Sequence, residues 1–302
     1  MKTILDAIGN TPLLNLEGIT VKLEHLNPSG SIKDRIAKFI VTKAESAGKL
    51  KKGFTIIEAT SGNTGNAFSL VGAVKGYKVI VVMPKGLSIE RSKIMEAYGA
   101  KIIYVKKDCF SCAIKKAESL GKKPKTYLPH QFANEWNITD HELFLGKEIV
   151  KQVKKVDAFV AGVGTGGTLI GVGRALKKKF PRVKLFAVEP DECSALTHAG
   201  IGSVLGKKKM KKLVCKHHEI EGIGDGIVPD IIKRNTKMID SIIEVTSKDA
   251  IKESVRIAKA HGLFVGPSSG ANFLAAKKLR KKFKHVVTVF ADEGEKYLSL
   301  KE

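Results

Sequence analysis

The chain has 302 residues, of which 43% are hydrophobic and 27% charged, and a large excess of lysine gives it a formal net charge of +23. This size and composition are typical of a globular protein with one large domain or two ordinary ones. The longest apolar runs, such as residues 79–83, are far too short to cross a bilayer, and the N-terminal residues lack the apolar core of a signal peptide, so we predict a cytoplasmic protein without a membrane partner.

In the first half of the chain, strand-like runs rich in valine and isoleucine alternate with helix-like runs. An apolar stretch at residues 20–23 leads into the segment 27–35, in which Lys33 directly precedes a helix-like run. The strands predicted after it are residues 54–58, 78–83 and 101–105, and the helices are residues 63–75, 88–98 and 112–119. Because these strands lack polar alternation, we expect a parallel sheet that helices cover on both faces.

The same alternation resumes in the second half, after a central stretch that ends near residue 141. The predicted helices are residues 142–153, 168–179, 247–261 and 269–283, and the predicted strands are residues 158–163, 184–188 and 286–290. A basic, less regular connection covers residues 199–221. We therefore predict an α/β protein of two three-layer α/β domains with mostly parallel, twisted sheets. Ligands of such sheets bind outside the carboxyl ends of the strands, in a cleft.

Two glycine-rich segments each follow a predicted strand and open a predicted helix. The first reads Thr60-Ser61-Gly62-Asn63-Thr64-Gly65, and the second consists of Gly164, Thr165, Gly166, Gly167 and Thr168. Glycines let the backbone approach an anion closely, and a helix start adds a favourable dipole. The second segment has the spacing of neither a nucleoside triphosphate P-loop nor a dinucleotide fingerprint. A single phosphate fits it better, with a tight turn that binds nothing as the alternative.

Lys33 and the glycine-rich segments together point to a pyridoxal 5′-phosphate (PLP) enzyme. The amine of a lysine can form a Schiff base with the cofactor aldehyde, while backbone N–H groups hold the cofactor phosphate. A lysine beside a turn is otherwise an ordinary solvated residue, so the prediction of a PLP enzyme depends on the presence of both Lys33 and the glycine-rich segments.

The four cysteines do not predict a disulfide framework in a chain of this size. Cys109 and Cys112 form a single CxxC pattern at a predicted loop-to-helix junction, where a helix N-terminus could support a redox role. Cys193 and Cys215 do not form a second close pair for zinc. We expect Cys109 and Cys112 to be reduced thiols, and we predict no metal site.

The positive charge makes nucleic-acid binding an alternative function, since neutralising phosphates requires only such charges. The lysine clusters at residues 177–179, 207–212 and 277–282 are scattered, however, and contain few aromatic residues for base stacking. Lysine also favours solvated helix faces, and a positive field attracts anionic substrates. We therefore expect no nucleic-acid partner.

The sequence resembles the fold-type II PLP enzymes, specifically the cysteine synthase (O-acetylserine sulfhydrylase) and cystathionine β-synthase family. The matching motifs follow the family's order over essentially the whole chain, at residues 8–13, 22–24, 27–35, 60–65, 131–132, 164–168, 222–229, 268–271 and 294–298. The resemblance implies a tryptophan synthase β-like fold and a homodimer. It also implies a smaller, mobile N-terminal domain at residues 38–140 and a larger, cofactor-binding domain formed by residues 1–37 and 141–302.

The resemblance further implies roles for single residues. Lys33 would carry PLP as an internal aldimine and, once an amino acid displaces it, would remove the Cα proton. Asn63 would hydrogen-bond the 3′-oxygen of the cofactor, Ser268 would face its pyridine nitrogen, and the segment 164–168 would bind its phosphate. The residues implied for the substrate carboxylate are Thr60, Ser61, Thr64 and Gln131. For the serines and threonines, N-capping of the following helix is the alternative role.

The implied reaction is elimination and replacement at Cβ of a serine- or cysteine-type amino acid through an α-aminoacrylate intermediate. A hydroxyl at Ser268, unlike a carboxylate, does not keep the pyridine nitrogen protonated, which suits β-elimination better than transamination. In the cysteine synthase-like case, O-acetylserine and sulfide give cysteine, so the partners would be an amino acid and sulfide or a thiol. Intact Lys33, Asn63 and Ser268 argue against a catalytically idle relative that serves as a partner subunit.

One segment departs from the family pattern. Residues 222–229 read Gly-Ile-Gly-Asp-Gly-Ile-Val-Pro, whereas sulfhydrylases commonly have alanine at the place of Asp225. Our hypothesis is that Gly224 contacts the substrate and that Asp225 acts as a general base for an incoming water or thiol, or orients it. That would favour consumption of cysteine, with release of hydrogen sulfide and formation of serine or of a thioether such as lanthionine or cystathionine. A turn aspartate that points to solvent is the alternative.

Overall fold

The computed structural model describes residues 2–107, 109–204 and 215–299, so the lysine cluster at 207–212 lies outside the described residues. The strands are β1 (Leu13–Leu16), β2 (Ile19–Leu23), β3 (Thr55–Ala59), β4 (Lys78–Pro84), β5 (Lys101–Val105), β6 (Thr126–Tyr127), β7 (Ala158–Gly162), β8 (Lys184–Pro190), β9 (Ser203–Val204), β10 (Ser241–Val245) and β11 (Val286–Phe290). The helices are α1 (Lys33–Ser46), α2 (Asn63–Lys75), α3 (Ile89–Ala97), α4 (Phe110–Gly121), α5 (Glu135–Asp140), α6 (Lys147–Gln152), α7 (Gly167–Lys179), α8 (Ala195–His198), α9 (Asp230–Lys233), α10 (Ser247–His261) and α11 (Pro267–Arg280).

The larger sheet has seven strands in the order β1-β2-β11-β7-β8-β10-β9. The β1–β2 hairpin is antiparallel, and every other described pair in this sheet is parallel. Its central strands are buried on both faces: all five residues of β11 are buried, as a strand covered by helices on both sides requires. Strand β11, the last strand among the described residues, lies between β2 and β7 and so joins the β1–β2 hairpin to the remaining strands.

The smaller sheet has four parallel strands in the order β5-β4-β3-β6. On one face, α1 and α2 contribute Ile36, Ile40 and Phe68 to a core with the strands. On the other face, α4 packs Ala113 and Ala117 against them. The mixed α/β fold with mostly parallel sheets is therefore confirmed.

The stretch before α6 differs from its prediction. A helix was expected over residues 142–153, but α5 already begins at Glu135, a π-helical segment follows at His141–Gly146, and α6 completes the run. Asn134 explains the early start, because its side chain accepts a hydrogen bond of 2.9 Å from the backbone N–H of Trp136 and so caps the helix.

The cysteine prediction is wrong. Cys109 is disulfide-bonded to Cys112, and Cys193 is disulfide-bonded to Cys215. The second pair is separated by 22 positions in sequence, but its Cα atoms are 4.1 Å apart because the chain returns to the end of β8. Separation along the sequence was therefore a poor measure of separation in space, and the reduced thiols expected at Cys109 and Cys112 are instead paired.

Candidate active site

Lys33 is the first residue of α1 and its side chain is half-buried. Burial lowers the pKa of its ammonium group, while the carboxylates of Asp292 and Asp225 oppose that shift by attracting the positive charge. The positive end of the helix dipole also disfavours a proton on an amine at this position. Lys33 is therefore an amine with reduced proton affinity, as a nucleophilic lysine requires.

The loop before Lys33 is fixed by hydrogen bonds on both sides. Asp34 accepts a bond of 2.6 Å from the backbone N–H of Ser29, and Lys296, which is fully buried, donates to the carbonyl oxygen of Ser29 at 2.6 Å. Ser31 forms a β-bridge with Asp292, directly after β11. Residues that follow the last strand therefore hold the conformation of the lysine loop.

The segment 60–65 joins β3 to α2 and contains three of the four residues predicted to bind the substrate carboxylate; the fourth, Gln131, lies elsewhere in the sequence. Thr60, Thr64 and Gln131 are buried and Ser61 is half-buried. The hydroxyl of Thr64 donates to Oε1 of Gln131 at 2.7 Å, and Nε2 of Gln131 donates to the carbonyl oxygen of Ala59 at 2.8 Å. The structure thus brings the four residues together at the N-terminus of α2, where backbone N–H groups lack intrahelical partners.

The segment 164–168 joins β7 to α7 and has no room for side chains at its glycines. A Cβ atom at Gly164 would lie 2.3 Å from the carbonyl oxygen of Gly222, and one at Gly167 would lie 1.9 Å from Oδ1 of Asn137. Gly166 adopts a φ of +85°, in the left-handed region. The bare backbone at the start of a 13-residue helix is a suitable cradle for a phosphate group.

The two threonines of this segment attach it to its surroundings. The side-chain amide of Asn137 donates to the hydroxyl of Thr165 at 3.0 Å and to the carbonyl oxygen of Gln131 at 2.9 Å, so it links the segment 164–168 to the residues predicted to bind the substrate carboxylate. The hydroxyl of Thr168 lies 3.2 Å from Nε2 of His141. The two glycine-rich segments are therefore neighbours around one site.

Asn63 and Ser268, predicted to face the cofactor ring, converge on one buried carboxylate. Nδ2 of Asn63 donates to Oδ2 of Asp292 at 2.6 Å, and the hydroxyl of Ser268 lies 3.5 Å from Oδ1 of Asp292. Oδ1 of Asn63 is buried and has no hydrogen-bond partner among the described residues. Asn63, Ser268 and Lys33 therefore all interact with Asp292, and Asn63 keeps a buried amide oxygen without a partner among the described residues; this polar arrangement fits PLP, the predicted cofactor.

Gly224 and Asp225 lie in a cavity of about 320 Å³ that also reaches Ser61 and the Cys193–Cys215 disulfide. The backbone N–H of Gly224 donates to the carbonyl oxygen of Val163 at 3.1 Å, so this segment is fixed beside the phosphate cradle. Asp225 is half-buried. Burial raises the pKa of its carboxyl group, while the charges of His218 and Lys33 lower it.

Several residues of the site were missed by sequence reasoning. Asp292 follows the last strand at its carboxyl end, which is a position where ligand-binding residues are expected. Glu58 is a charged residue within the buried strand β3. A charged residue in an otherwise apolar strand could have identified it as a candidate site residue from the sequence. Tyr297 also contacts the site; it lies in the family motif at residues 294–298, but no role was predicted for it. For Arg91, which contacts Ser61, the sequence contains no comparable signal.

Glu58 is expected to make the protein less stable as the pH rises. Burial raises its pKa to about 8, although the backbone N–H groups of Ala59 and Gln131 donate to its carboxylate. The folded state therefore binds the proton more tightly than the unfolded state does. The stabilisation is complete below the ordinary pKa of 4.5 and is lost as the pH rises through 8.

The variant Glu58→Gln has no charge to bury, so its free energy of unfolding should match the wild type near pH 4.5 and exceed it near pH 9 by about 2–4 kcal/mol. Urea unfolding at both pH values measures this, with the exposed Glu118→Gln as the control. Equal stabilities of Glu58→Gln and the wild type at pH 9 would contradict the prediction.

The family model for pyridoxal-phosphate dependent enzymes matches residues 4–292. The chain belongs to this family. It is therefore a PLP-dependent enzyme, and the predicted cofactor is confirmed. A cysteine synthase from Staphylococcus aureus (strain N315) is 42% identical over 310 residues, which cover 98% of this chain and 95% of the relative.

Solved structures of related enzymes have the same fold. An O-acetylserine dependent cystathionine beta-synthase from Helicobacter pylori is 36% identical with a TM-score of 0.89, covering 100% of this chain and 98% of the other. A hydrogen sulfide-producing enzyme from Fusobacterium nucleatum is 41% identical with a TM-score of 0.87, and the match covers 98% of this chain and 89% of the other. The fold-type II resemblance is confirmed. None of the helices in the described parts of the chain has both the length and the apolar composition needed to cross a membrane.

Proposed function

We propose that the protein catalyses PLP-dependent elimination and replacement at Cβ of a serine- or cysteine-type amino acid, with cysteine synthesis from O-acetylserine and sulfide as the main reaction. The observation that carries this proposal is the convergence of Lys33, segment 60–65 and segment 164–168 on one site. The relatives named above support it. PLP, when bound, supplies an electron-withdrawing ring that stabilises negative charge at Cα of the substrate.

In this proposal Lys33 holds the cofactor covalently through its amine, and the freed amine later accepts the Cα proton. The lowered pKa of Lys33 supports both roles, because only the neutral amine is a nucleophile or a base. Asn63 donates to the 3′-oxygen of the cofactor, and Ser268 faces the pyridine nitrogen. The residues proposed for the phosphate are Gly164, Thr165, Gly166, Gly167 and Thr168.

Thr60, Ser61, Thr64 and Gln131 are proposed to bind the substrate carboxylate together with the backbone at the start of α2. The Thr64–Gln131 hydrogen bond of 2.7 Å and the bond from Gln131 to the carbonyl oxygen of Ala59 hold these side chains in place before the substrate arrives. Gly224 is proposed to contact the substrate in the cavity that it lines together with Ser61, and its backbone is fixed to Val163. Prearranged donors place Cα next to Lys33 and lower the entropic cost of reaction.

We also propose that residues 38–140 form a smaller mobile domain and that residues 1–37 and 141–302 form the larger one. All four strands of the smaller sheet fall within 38–140, and all strands of the larger sheet fall outside it. Segment 60–65 would then belong to the smaller domain, and Lys33 and the phosphate cradle to the larger. Movement of one domain toward the other would close the site over the substrate and exclude water.

A second candidate reaction consumes cysteine, releases hydrogen sulfide and forms serine or a thioether. Asp225 favours it, because a half-buried carboxylate with a raised pKa, close enough to Lys33 to act on its charge, is suited to deprotonate an incoming water or thiol. A hydrogen sulfide-producing enzyme, 40% identical, was crystallised as an aspartate-to-asparagine variant with an α-aminoacrylate intermediate. The same substitution at Asp225 is therefore informative.

Product analysis separates the two reactions. The enzyme is incubated with O-acetylserine and sulfide, and separately with L-cysteine alone; cysteine formation in the first mixture supports the main proposal, and its absence overturns it. We expect Asp225→Asn to slow formation of serine or thioether from cysteine by about 10²-fold. The rate at which hydrogen sulfide is released from cysteine should remain within a few-fold of the wild-type rate.

The control for this substitution is Asp249→Asn, on the exposed surface of α10. If Asp225→Asn changes neither the release of hydrogen sulfide from cysteine nor the formation of serine or thioether, Asp225 has no catalytic role. The alternative, an aspartate that only occupies a turn, is then correct.

We further propose a homodimer in the cytoplasm. The family resemblance supports the dimer, and light scattering that gives the mass of one chain would contradict it. Amino-acid metabolism supports the location, whereas the two disulfides argue against a strongly reducing compartment. Alkylation of thiols before cell lysis shows whether the four cysteines are paired in the cell.

A further inference from the structure

Arg91, on α3, is a buried cation that connects separate parts of the candidate site. Its side chain is fully buried, and its guanidinium donates to the carbonyl oxygen of Ser61 at 3.1 Å. The same guanidinium forms an ion pair with Glu221 and donates to the hydroxyl oxygen of Tyr297. One side chain therefore contacts the carboxylate-binding segment, the segment before Gly222 and the end of the described chain.

On the substrate side, Arg91 supports the backbone of segment 60–65 from behind. A Cβ atom at Gly62 would lie 2.1 Å from Cδ of Arg91, and Gly62 has a φ of +152°. The segment thus packs directly on the arginine side chain and keeps a backbone conformation that only glycine adopts readily. A shorter or neutral side chain at position 91 would leave this backbone without its packing partner and its hydrogen-bond donor.

On the cofactor side, a chain of hydrogen bonds continues from Arg91. The hydroxyl of Tyr297 donates to Asp292, and Asp292 accepts from Asn63 at 2.6 Å. The guanidinium carbon also lies 4.5 Å from the centre of the Tyr297 ring, a cation–π arrangement. Arg91 is thereby connected to a residue proposed to contact the cofactor ring, through two intermediates that are themselves buried.

We propose that Arg91 is a positioning residue that holds the carboxylate-binding segment in register with the residues facing the cofactor ring. The inference rests on the proposed function, because it assigns segment 60–65 to the substrate carboxylate. Arg91 lies in the part of the chain that contains the smaller sheet, whereas Glu221 and Tyr297 lie in the C-terminal part, which contributes strands to the larger sheet. The guanidinium therefore also stabilises the approach of the two sheets around the site.

The test compares Arg91→Met, Arg91→Lys and the control Arg256→Met in the PLP-loaded enzyme. Arg256 forms ion pairs with Glu17 and Glu253 on the surface, away from the site. We expect Arg91→Met to raise KM for the amino-acid substrate by about ten- to a hundredfold and to lower kcat much less. Arg91→Lys should restore part of the loss, since lysine keeps the charge but cannot donate to several partners in a fixed fork.

Hydrogen exchange provides a measurement that does not depend on turnover. Amides of residues 59–65 and 218–224 should exchange about tenfold faster or more in Arg91→Met, while the sheets keep their protection and Arg256→Met matches the wild type. An unchanged KM with unchanged exchange overturns the proposal, as does exchange that rises throughout the protein, which would indicate a general structural role.

If Arg91→Met does not fold, Tyr297→Phe and Glu221→Gln remove one partner each and should show the same local increase in exchange at residues 59–65. Normal exchange in both variants would overturn the proposal. Wild-type enzyme that makes no product from O-acetylserine and sulfide would overturn the proposed function alone, because the exchange comparison needs no turnover.

Discussion

Replacing Lys33 with alanine is expected to abolish covalent attachment of PLP and to reduce turnover by about 10²–10⁴-fold. The physical reason is the position of its amine: Lys33 opens α1, and the carboxylates of Asp292 and Asp225 act on its charge. Borohydride reduction followed by peptide mapping measures the attachment directly, and the wild type should show one adduct at Lys33.

The control for this experiment is Lys248→Ala, an exposed lysine on α10, which should retain both the adduct and the activity. An adduct on a lysine other than Lys33 in the wild type, or a Lys33→Ala variant that keeps its activity, would contradict the assignment of the nucleophile and with it the proposed function.

Replacing Gly164 with alanine is expected to weaken PLP binding by about tenfold or more, equivalent to about 1.4 kcal/mol. The added Cβ would lie 2.3 Å from the carbonyl oxygen of Gly222. Because that neighbour is backbone rather than a flexible side chain, the phosphate segment itself has to move. Overpacking of this kind also lowers the free energy of unfolding by about 1–3 kcal/mol. Titration of the cofactor-free protein with PLP, followed by visible absorbance, gives the affinity.

A matched control is Gly121→Ala, at the end of α4. Its Cβ would meet Cβ and Cδ2 of Leu128 at 3.2 Å, so this neighbour has to shift by only a few tenths of an ångström, and PLP affinity should stay unchanged. If Gly164→Ala binds PLP as tightly as the control does, the segment 164–168 is a tight turn without a phosphate-binding role.

Local signals predicted the helices and strands well where glycine marks the ends. The bounds of α2 and α10 match their predictions, and both helices end at glycines with positive φ, Gly76 and Gly262. Such residues terminate a helix because only glycine adopts the left-handed conformation without strain. Strands β5 and β11 also have the predicted bounds, since their β-branched residues stand between turn residues.

Contacts between distant residues could not be predicted in this way. The Arg91–Glu221 ion pair joins positions 130 apart, and the hydrogen bond from Asn63 to Asp292 joins positions 229 apart. Neither has a local pattern, because each depends on how the two sheets meet. The family resemblance identified Lys33, Asn63 and the glycine-rich segments, but it did not place a buried carboxylate between the residues expected to face the cofactor ring.

The hydrogen bond from Lys296 to the carbonyl oxygen of Ser29 joins positions 267 apart, and β11 is the partner that completes the pairing of β2. Ribosomes synthesise these residues long after Lys33 has left the exit tunnel. Until β11 and Lys296 have left the ribosome, the loop before Lys33 therefore lacks the contacts that fix its conformation. We expect the vitamin B6 cofactor to bind only after this C-terminal region has been translated. Products truncated before β11 should therefore bind no cofactor and be colourless.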